Sequence, residues 1–427
     1  MSRFPRFVLL CSALVLAAGA GLTPALATTY VPVSDQALIE RAVVIGTFEV
    51  VSVDLAPTTG FVTEYQMRIE TLLKGELRAE VVPVRILGGE TRTGAGLRLS
   101  GLPRFRPGER DVLLFLVPRR DGTWGIAHVI MGAFHALERP EGDLLVRPNL
   151  GEARSIEPRG ERATDGQPVE RDRARFIDWI SDHVAGRARA ADYFVPVDNA
   201  ALAPRFTQFR DRTDGIPMRW FHFDNGGRVE WHSASEGPFG YPDEGAGAVQ
   251  AGLAAWTNLT QATIELPYAG LAPIDQGFND DDGINTVLFD DPHFEIEEEF
   301  VCFQGGVLAI GGPFYDDRLV LRYKNQNWHP ILEGVVIMNR NLECFLGNDN
   351  TRLAEVLGHE IGHTLGLGHS CGSSGTPSCT GNPIFDDALM RASVHDDGRG
   401  PRLNSDDMAG GRALYSPVTN DTPRAPT

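Results

Sequence analysis

His359-Glu360-Ile361-Gly362-His363-Thr364-Leu365-Gly366-Leu367-Gly368-His369 is the stretch from which the rest of this chain is best read. On a helix, His359 and His363 lie about 40° apart around the axis and about 6 Å apart along it, so both imidazoles reach one ion from one face. Gly366 lets the backbone leave the helix through a left-handed turn at little cost. His369 then swings back as a third nitrogen ligand. Three protein ligands leave the fourth position of a tetrahedral zinc open, which separates a catalytic zinc site from a closed structural one. Glu360 adjoins the first ligand and is the candidate general base.

The flanking residues agree with a helix. Leu353, Leu357 and Ile361 recur at four-residue spacing and bury one side. Asn348, Asp349 and Asn350 precede them with side chains suited to an N-cap. A bare H-E-x-x-H fixes only three positions, whereas Gly366 and His369 at the correct offsets make a chance arrangement of surface histidines improbable.

The extended pattern H-E-x-x-H-x-x-G-x-x-H resembles that of the metzincin zinc peptidases, and further segments narrow the resemblance to the matrixins. His369-Ser370 continues the motif. Asp387-Ala388-Leu389-Met390 resembles the Met-turn, with Met390 as the methionine that supports the metal site. Leu403-Asn404-Ser405-Asp406-Asp407 and Ala413-Leu414-Tyr415 resemble the closing helix. The run Val307, Leu308, Ala309, Ile310, with Gly311-Gly312-Pro313 after it, resembles the substrate-binding edge strand. The resemblance covers roughly Met218 to Ser416. It implies an α+β metzincin-like domain, a twisted mixed sheet with helices, and a zinc on His359, His363 and His369. It also implies that Asp406 or Asp407 pairs with a new amino terminus after processing. Two features depart from the family pattern. The stretch from His369 to Met390 is long and carries Cys371 and Cys379, and no cysteine lies between Thr28 and Val301 to act as a propeptide switch.

The N-terminus reads as a secretory signal spanning residues 1–27. Arg3 and Arg6 precede the apolar run Phe7 to Ala20, and Ala25-Leu26-Ala27 offers a small-residue cleavage site. The run is shorter than the ~20 residues a membrane-spanning helix needs, so no membrane span is expected after its removal. The expected location is secreted or periplasmic. Cys302, Cys344, Cys371 and Cys379 then remain, an even number that suggests two disulfides. Of three pairings, Cys302–Cys344 with Cys371–Cys379 is favoured, the latter closing a short Gly/Ser/Thr/Pro loop. A second zinc site lacks any C-x-x-C spacing. The formal net charge of −18 argues against nucleic-acid binding.

Residues 28–150 read as a mostly-β domain, a small barrel or sandwich. Its strands are expected at Ala42–Val50, Tyr65–Leu73, Val81–Leu87, Val112–Val117 and Trp124–Ala133, with Gly and Pro punctuation between them. The series resembles the OB-like barrel of the tissue inhibitors of metalloproteinases, without their cysteine framework. Residues 151–217 read as a linker with one amphipathic helix over Arg171 to Gly186. Within 218–416, Asp224-Asn225-Gly226-Gly227 signals a hairpin that brings His222 opposite His232. Asn279-Asp280-Asp281-Asp282-Gly283 has oxygen ligands suited to calcium, though a bare acidic loop is the preferred reading. Glu295 to Glu299 reads as a solvated acidic run. Residues 417–427 read as a disordered tail.

The expected function is an exported zinc-dependent endopeptidase with a polypeptide substrate lying along Val307–Ile310. The competing expectation is a zinc-bearing binding or adhesion protein with little proteolysis, its β domain being the functional module.

Overall fold

The computed structural model describes residues 23–417 apart from single residues and short stretches, the longest being 55–61, 91–95, 147–153, 156–169, 196–205 and 372–378. Residues 1–22 of the expected signal, 279–281 of the acidic loop, parts of the linker (151–153, 156–169 and 196–205 among them) and the tail from 418 lie outside the described residues.

Alternating burial shapes the N-terminal half. Val44–Asp54 (β2), Val62–Lys74 (β3) and Val81–Leu87 (β4) run antiparallel in sequence order. In β4, Val82, Val84 and Ile86 are buried while their neighbours are half-exposed, the period of two that a sheet with one core face requires. Two further strands close the ring. Val112–Pro118 (β6) pairs with β2 and with Trp124–Ile126 (β7), and β7 returns to β4 through Val84 and Trp124. The result is a closed five-stranded barrel. Between them in sequence, Gly96–Leu99 (β5) leaves the barrel and joins the other sheet. Ala133–Leu137 (β8), Leu144–Val146 (β9) and Glu170–Asp172 (β10) extend the barrel wall from β6.

Two helices flank the barrel. Asp35–Arg41 (α1) is capped by Ser34, and Arg173–Val184 (α2) by Asp172. Phe176 and Trp179 of α2 bury against Phe134 and Tyr193. The amphipathic helix read in the linker thus docks on the barrel. The buried Arg171 guanidinium forks onto the Asp35 carboxylate through two bonds of 2.9 Å, which ties α1 to the strand leading into α2.

The C-terminal half is built on a second, mixed sheet. Its order is Tyr268–Leu271 (β12), Trp231–Ser233 (β11), Asn285–Leu288 (β13), Gln326–Met338 (β15), Gly306–Tyr315 (β14), and then Thr23–Val31 (β1) and β5. The first four run parallel to one another, and β14 is antiparallel to β15. Ala246–Thr257 (α3) and Asn350–Thr364 (α4) pack together on this sheet. Their contact is unusually close. A side chain at Gly252 would meet the Gly358 nitrogen at 3.0 Å, and the Trp256 indole N–H donates to the Gly358 carbonyl at 2.8 Å. Ser405–Tyr415 (α5) closes the domain with a capping box between Asn404 and Asp407.

Three expectations are corrected. The run Val307–Ile310 lies in β14 as read, but β14 is not a free edge: β1 pairs antiparallel along it. The Asp224–Gly227 segment is not a hairpin turn. His222–Asn225 is a 3-10 turn ended by Gly226 at φ 70°, Met218–Arg219 pairs with β15, and Trp231–Ser233 pairs with β12 and β13. His222 therefore packs on Trp220, while His232 faces the Leu271 carbonyl. The acidic run is solvated only in part: Glu299 is exposed, but Glu297 and Glu298 are engaged by partners. Glu298 takes Arg41 at 2.5 Å and the backbone N–H of His128, and Glu297 pairs with Arg119. Those partners come from the barrel and from its flanking helix α1, so the run is where the two halves dock.

Candidate metal centre

The helix α4 begins where its sequence says it should: the Asp349 side chain accepts from the N–H groups of Thr351 and Arg352. Leu353, Leu357 and Ile361 are fully buried. The last turn delivers His359 and His363 to one side, and Gly366 at φ 90° reverses the chain so that His369 returns to them. All three histidines are buried, and their candidate ligand atoms lie within 4.8 Å of one another.

The backbone around them fixes which nitrogens point inward. His359 Nδ1–H donates to the Leu389 carbonyl at 2.8 Å, and His363 Nδ1–H donates to the Leu367 carbonyl at 2.7 Å. A carbonyl accepts only, so each ring is held with its proton on Nδ1 and its lone pair on Nε2. The two Nε2 atoms stand 2.7 Å apart. Three imidazoles converging in a buried pocket are a donor set suited to zinc, and the residues present fit that ion.

Glu360 points toward the sheet. A Cβ built on Gly311 would lie 2.8 Å from Glu360 Cβ and 3.0 Å from its Oε2. Glycine at 311 is therefore what lets β14 pass over the carboxylate. The middle of β14 is thereby brought beside the candidate base.

The segment read as a Met-turn adjoins the histidines through the Leu389 carbonyl and is held by Asp407. That carboxylate accepts from the backbone N–H groups of Leu389 at 2.7 Å, Met390 at 2.9 Å and Asn404 at 2.8 Å. Burial pushes the Asp407 carboxyl up to about 7, against these three N–H groups, which favour its ionised form. Met390 is buried against Gly362 of α4. Asp406, its own carboxyl raised by burial, faces Ser370 and the backbone N–H of Phe206. Further along, Glu355 accepts from the backbone and ring of His395, both at 3.0 Å, which pins the loop after the Met-turn to α4.

Two disulfides are formed, Cys302–Cys344 with Cα atoms 6.1 Å apart and Cys371–Cys379 with 5.1 Å. They are the pairing favoured from the sequence. The second fastens the loop that leaves His369.

Sequence reasoning missed the segment just before Met218. Thr207 Oγ1–H donates to the His369 carbonyl at 2.8 Å, and the Gly368 and Phe209 amides pair with Thr207 and Gly366. The Phe209 ring stacks on His363 with centroids 5.1 Å apart. These residues sit in what reads as linker, and no motif or change of composition marks them there.

Residues 241–416 match the family model of the matrixins. They form a matrixin domain. Matrixins are zinc metalloendopeptidases, so this domain is that of a hydrolase acting on polypeptides. No curated protein matches the chain. The match covers α3, the sheet from β12 to β15, α4 and α5, and it leaves the barrel outside the matrixin domain. Among the described residues no helix is long and apolar enough to cross a membrane.

Proposed function

We propose that this chain is an exported endopeptidase in which His359, His363 and His369 hold zinc and Glu360 is the general base. The observation that carries the reading is the pair of Nδ1–carbonyl bonds aiming Nε2 lone pairs at one point, beside a carboxylate overlain by β14. When bound there, zinc supplies Lewis acidity that brings a water's pKa down toward neutrality. Glu360 takes the proton of that water as its oxygen joins the scissile carbonyl carbon. The same carboxyl returns the proton to the departing amine as the C–N bond breaks. Met390 and the Asp407-held turn keep His359 in place through the Leu389 carbonyl. An extended peptide would pair with β14 near Val307, Leu308, Ala309 and Ile310 by taking the place of β1 on that edge. The two disulfides and the signal-like residues 1–27 support export.

Cleavage of an unfolded protein such as casein in H2(18)O tests this. Each new carboxyl terminus should gain one heavy oxygen, a chelator should stop the reaction, and added zinc should restore it. Bound zinc with no fragments under any condition would favour the binding or adhesion reading instead.

A further inference from the structure

The outer edge of β14 is the surface on which a peptide would add as a strand, and the chain itself covers it. β1 pairs antiparallel with β14 through Thr28 with Ile310, Thr29 with Ala309, Tyr30 with Val307 and Val31 with Gly306. Toward its start the same strand continues through Ala27 opposite Gly311 and Pro24 opposite Phe314. Gly311 is the residue that adjoins Glu360. The junction between Ala27 and Thr28, where the signal-like segment ends, therefore lies level with the candidate catalytic centre. The four pairs from Thr28 to Val31 lie beyond that junction. They cover the half of β14 on one side of that centre.

The covering strand is anchored at its far end. Tyr30 is buried, and the Val33 amide meets Met131 of the barrel. Next, α1 is tied by Asp35 to the buried Arg171, and its last residue, Arg41, pairs with Glu298 of the matrixin domain. The barrel is thus docked on the catalytic half at the acidic run, and the strand leaves the barrel directly onto β14. A strand tethered at both the barrel and the docking site meets its edge at an effective concentration of about millimolar or higher, so a free peptide competes poorly.

Resting on the peptidase reading, we propose that Thr28–Val31 is an intramolecular competitor for the peptide-binding edge of β14. The barrel serves to present it, and substrate gains access when this strand is displaced. No cysteine takes part, since none lies between Thr28 and Val301.

The test uses a labelled peptide, Thr-Thr-Tyr-Val-Pro-Val, copied from residues 28–33. Its binding is measured by fluorescence anisotropy to two zinc-loaded chains in a Glu360→Ala background, one beginning at Thr28 and one at Val33. The chain beginning at Val33 should bind the probe at least ~10-fold more tightly, and β14 amides should lose hydrogen-exchange protection in that chain alone. Tyr30→Ala in the chain beginning at Thr28 should move binding in the same direction, which guards against a truncated chain that fails to fold. With Glu360 restored, casein hydrolysis should rise by a similar factor in the shorter chain, and the unlabelled peptide should suppress it. Equal probe binding by both chains, or binding by neither, overturns the proposal. Discrimination of the probe with hydrolysis by neither chain sustains the covering strand and sinks the peptidase reading.

Discussion

Gly311→Ala is the substitution whose outcome follows most directly from the geometry. The added Cβ would lie 2.8 Å from Glu360 Cβ, 3.0 Å from Glu360 Oε2 and 3.2 Å from Val336 Cγ2. Carbon atoms in contact prefer about 3.5–4.0 Å, so strand and helix must separate by roughly 0.7 Å or more. Val336 is the paired residue on β15 and is fully buried, so it has no room to retreat. Glu360 is therefore the group that moves. Overpacking of this kind costs about 1–3 kcal/mol, which for a domain near 200 residues lowers the melting temperature by roughly 2–12 °C. A misplacement of about 1 Å at a reacting group costs on the order of 100-fold in rate. The histidines are anchored on other carbonyls, Leu389 and Leu367, and keep their places. The expected result is a kcat/KM for peptide hydrolysis about 10- to 100-fold lower, carried mostly by kcat, with unchanged zinc content by atomic emission. Wild-type kcat/KM within a factor of about three, together with an unchanged melt, would refute the claim that β14 seats Glu360.

Other consequences are open to measurement. Burial pushes the Glu295 carboxyl up to about 8. Its contribution to stability is then fully present below about 4.5 and is lost as pH rises through about 8, at up to ~1.4 kcal/mol per unit. Wild type should lose stability relative to Glu295→Gln between pH 5 and pH 9 in urea unfolding; parallel curves would contradict this. Arg219 is fully buried, forks onto Asp224 at 2.6 and 2.7 Å and donates to the Leu414 carbonyl. Arg219→Ala should cost about 3–5 kcal/mol, read by calorimetry, and a loss under about 1 kcal/mol would show the pair to be dispensable. Replacing Cys371 and Cys379 by serine frees a loop closed across eight positions. The expected loss is about 2.5 kcal/mol from loop entropy, with weaker zinc retention against a chelator because His369 is two residues away; an unaltered zinc affinity would separate the disulfide from the site.

The zinc helix was legible because every determinant is local. Its cap, its four-residue apolar spacing, its histidine offsets and the glycine that ends it all lie between Asp349 and His369. The β-strands of the barrel were legible from alternation, although the run read as Trp124–Ala133 is two strands, β7 and β8, separated by a turn containing the buried His128 at φ 49°. What escaped depends on partners distant in sequence. Glu295 to Glu299 looks solvated until Arg41, Arg119 and His128 are brought to it. The Asp224–Gly227 turn has hairpin chemistry, yet its flanking strands find better partners in β15 and in the pair β12 and β13. Val307–Ile310 read correctly as a strand, but its occupant, β1, comes from nearly 300 positions earlier and carries no mark of that pairing. Thr207 and Phe209 support the histidines by backbone and ring contacts that many residue types could make, so composition gave no hint of them.

The most direct test of the central claim compares wild type with Glu360→Gln at matched zinc content. Both are assayed on unfolded casein in chains beginning at Thr28 and at Val33, so that the covering strand cannot mask activity. The account predicts fragments from the wild type, strongest in the shorter chain. It predicts a loss of about 100-fold or more in Glu360→Gln with zinc still bound. Equal cleavage by the two would remove Glu360 from the chemistry, and zinc-loaded wild type that cleaves nothing in either chain would contradict the peptidase itself.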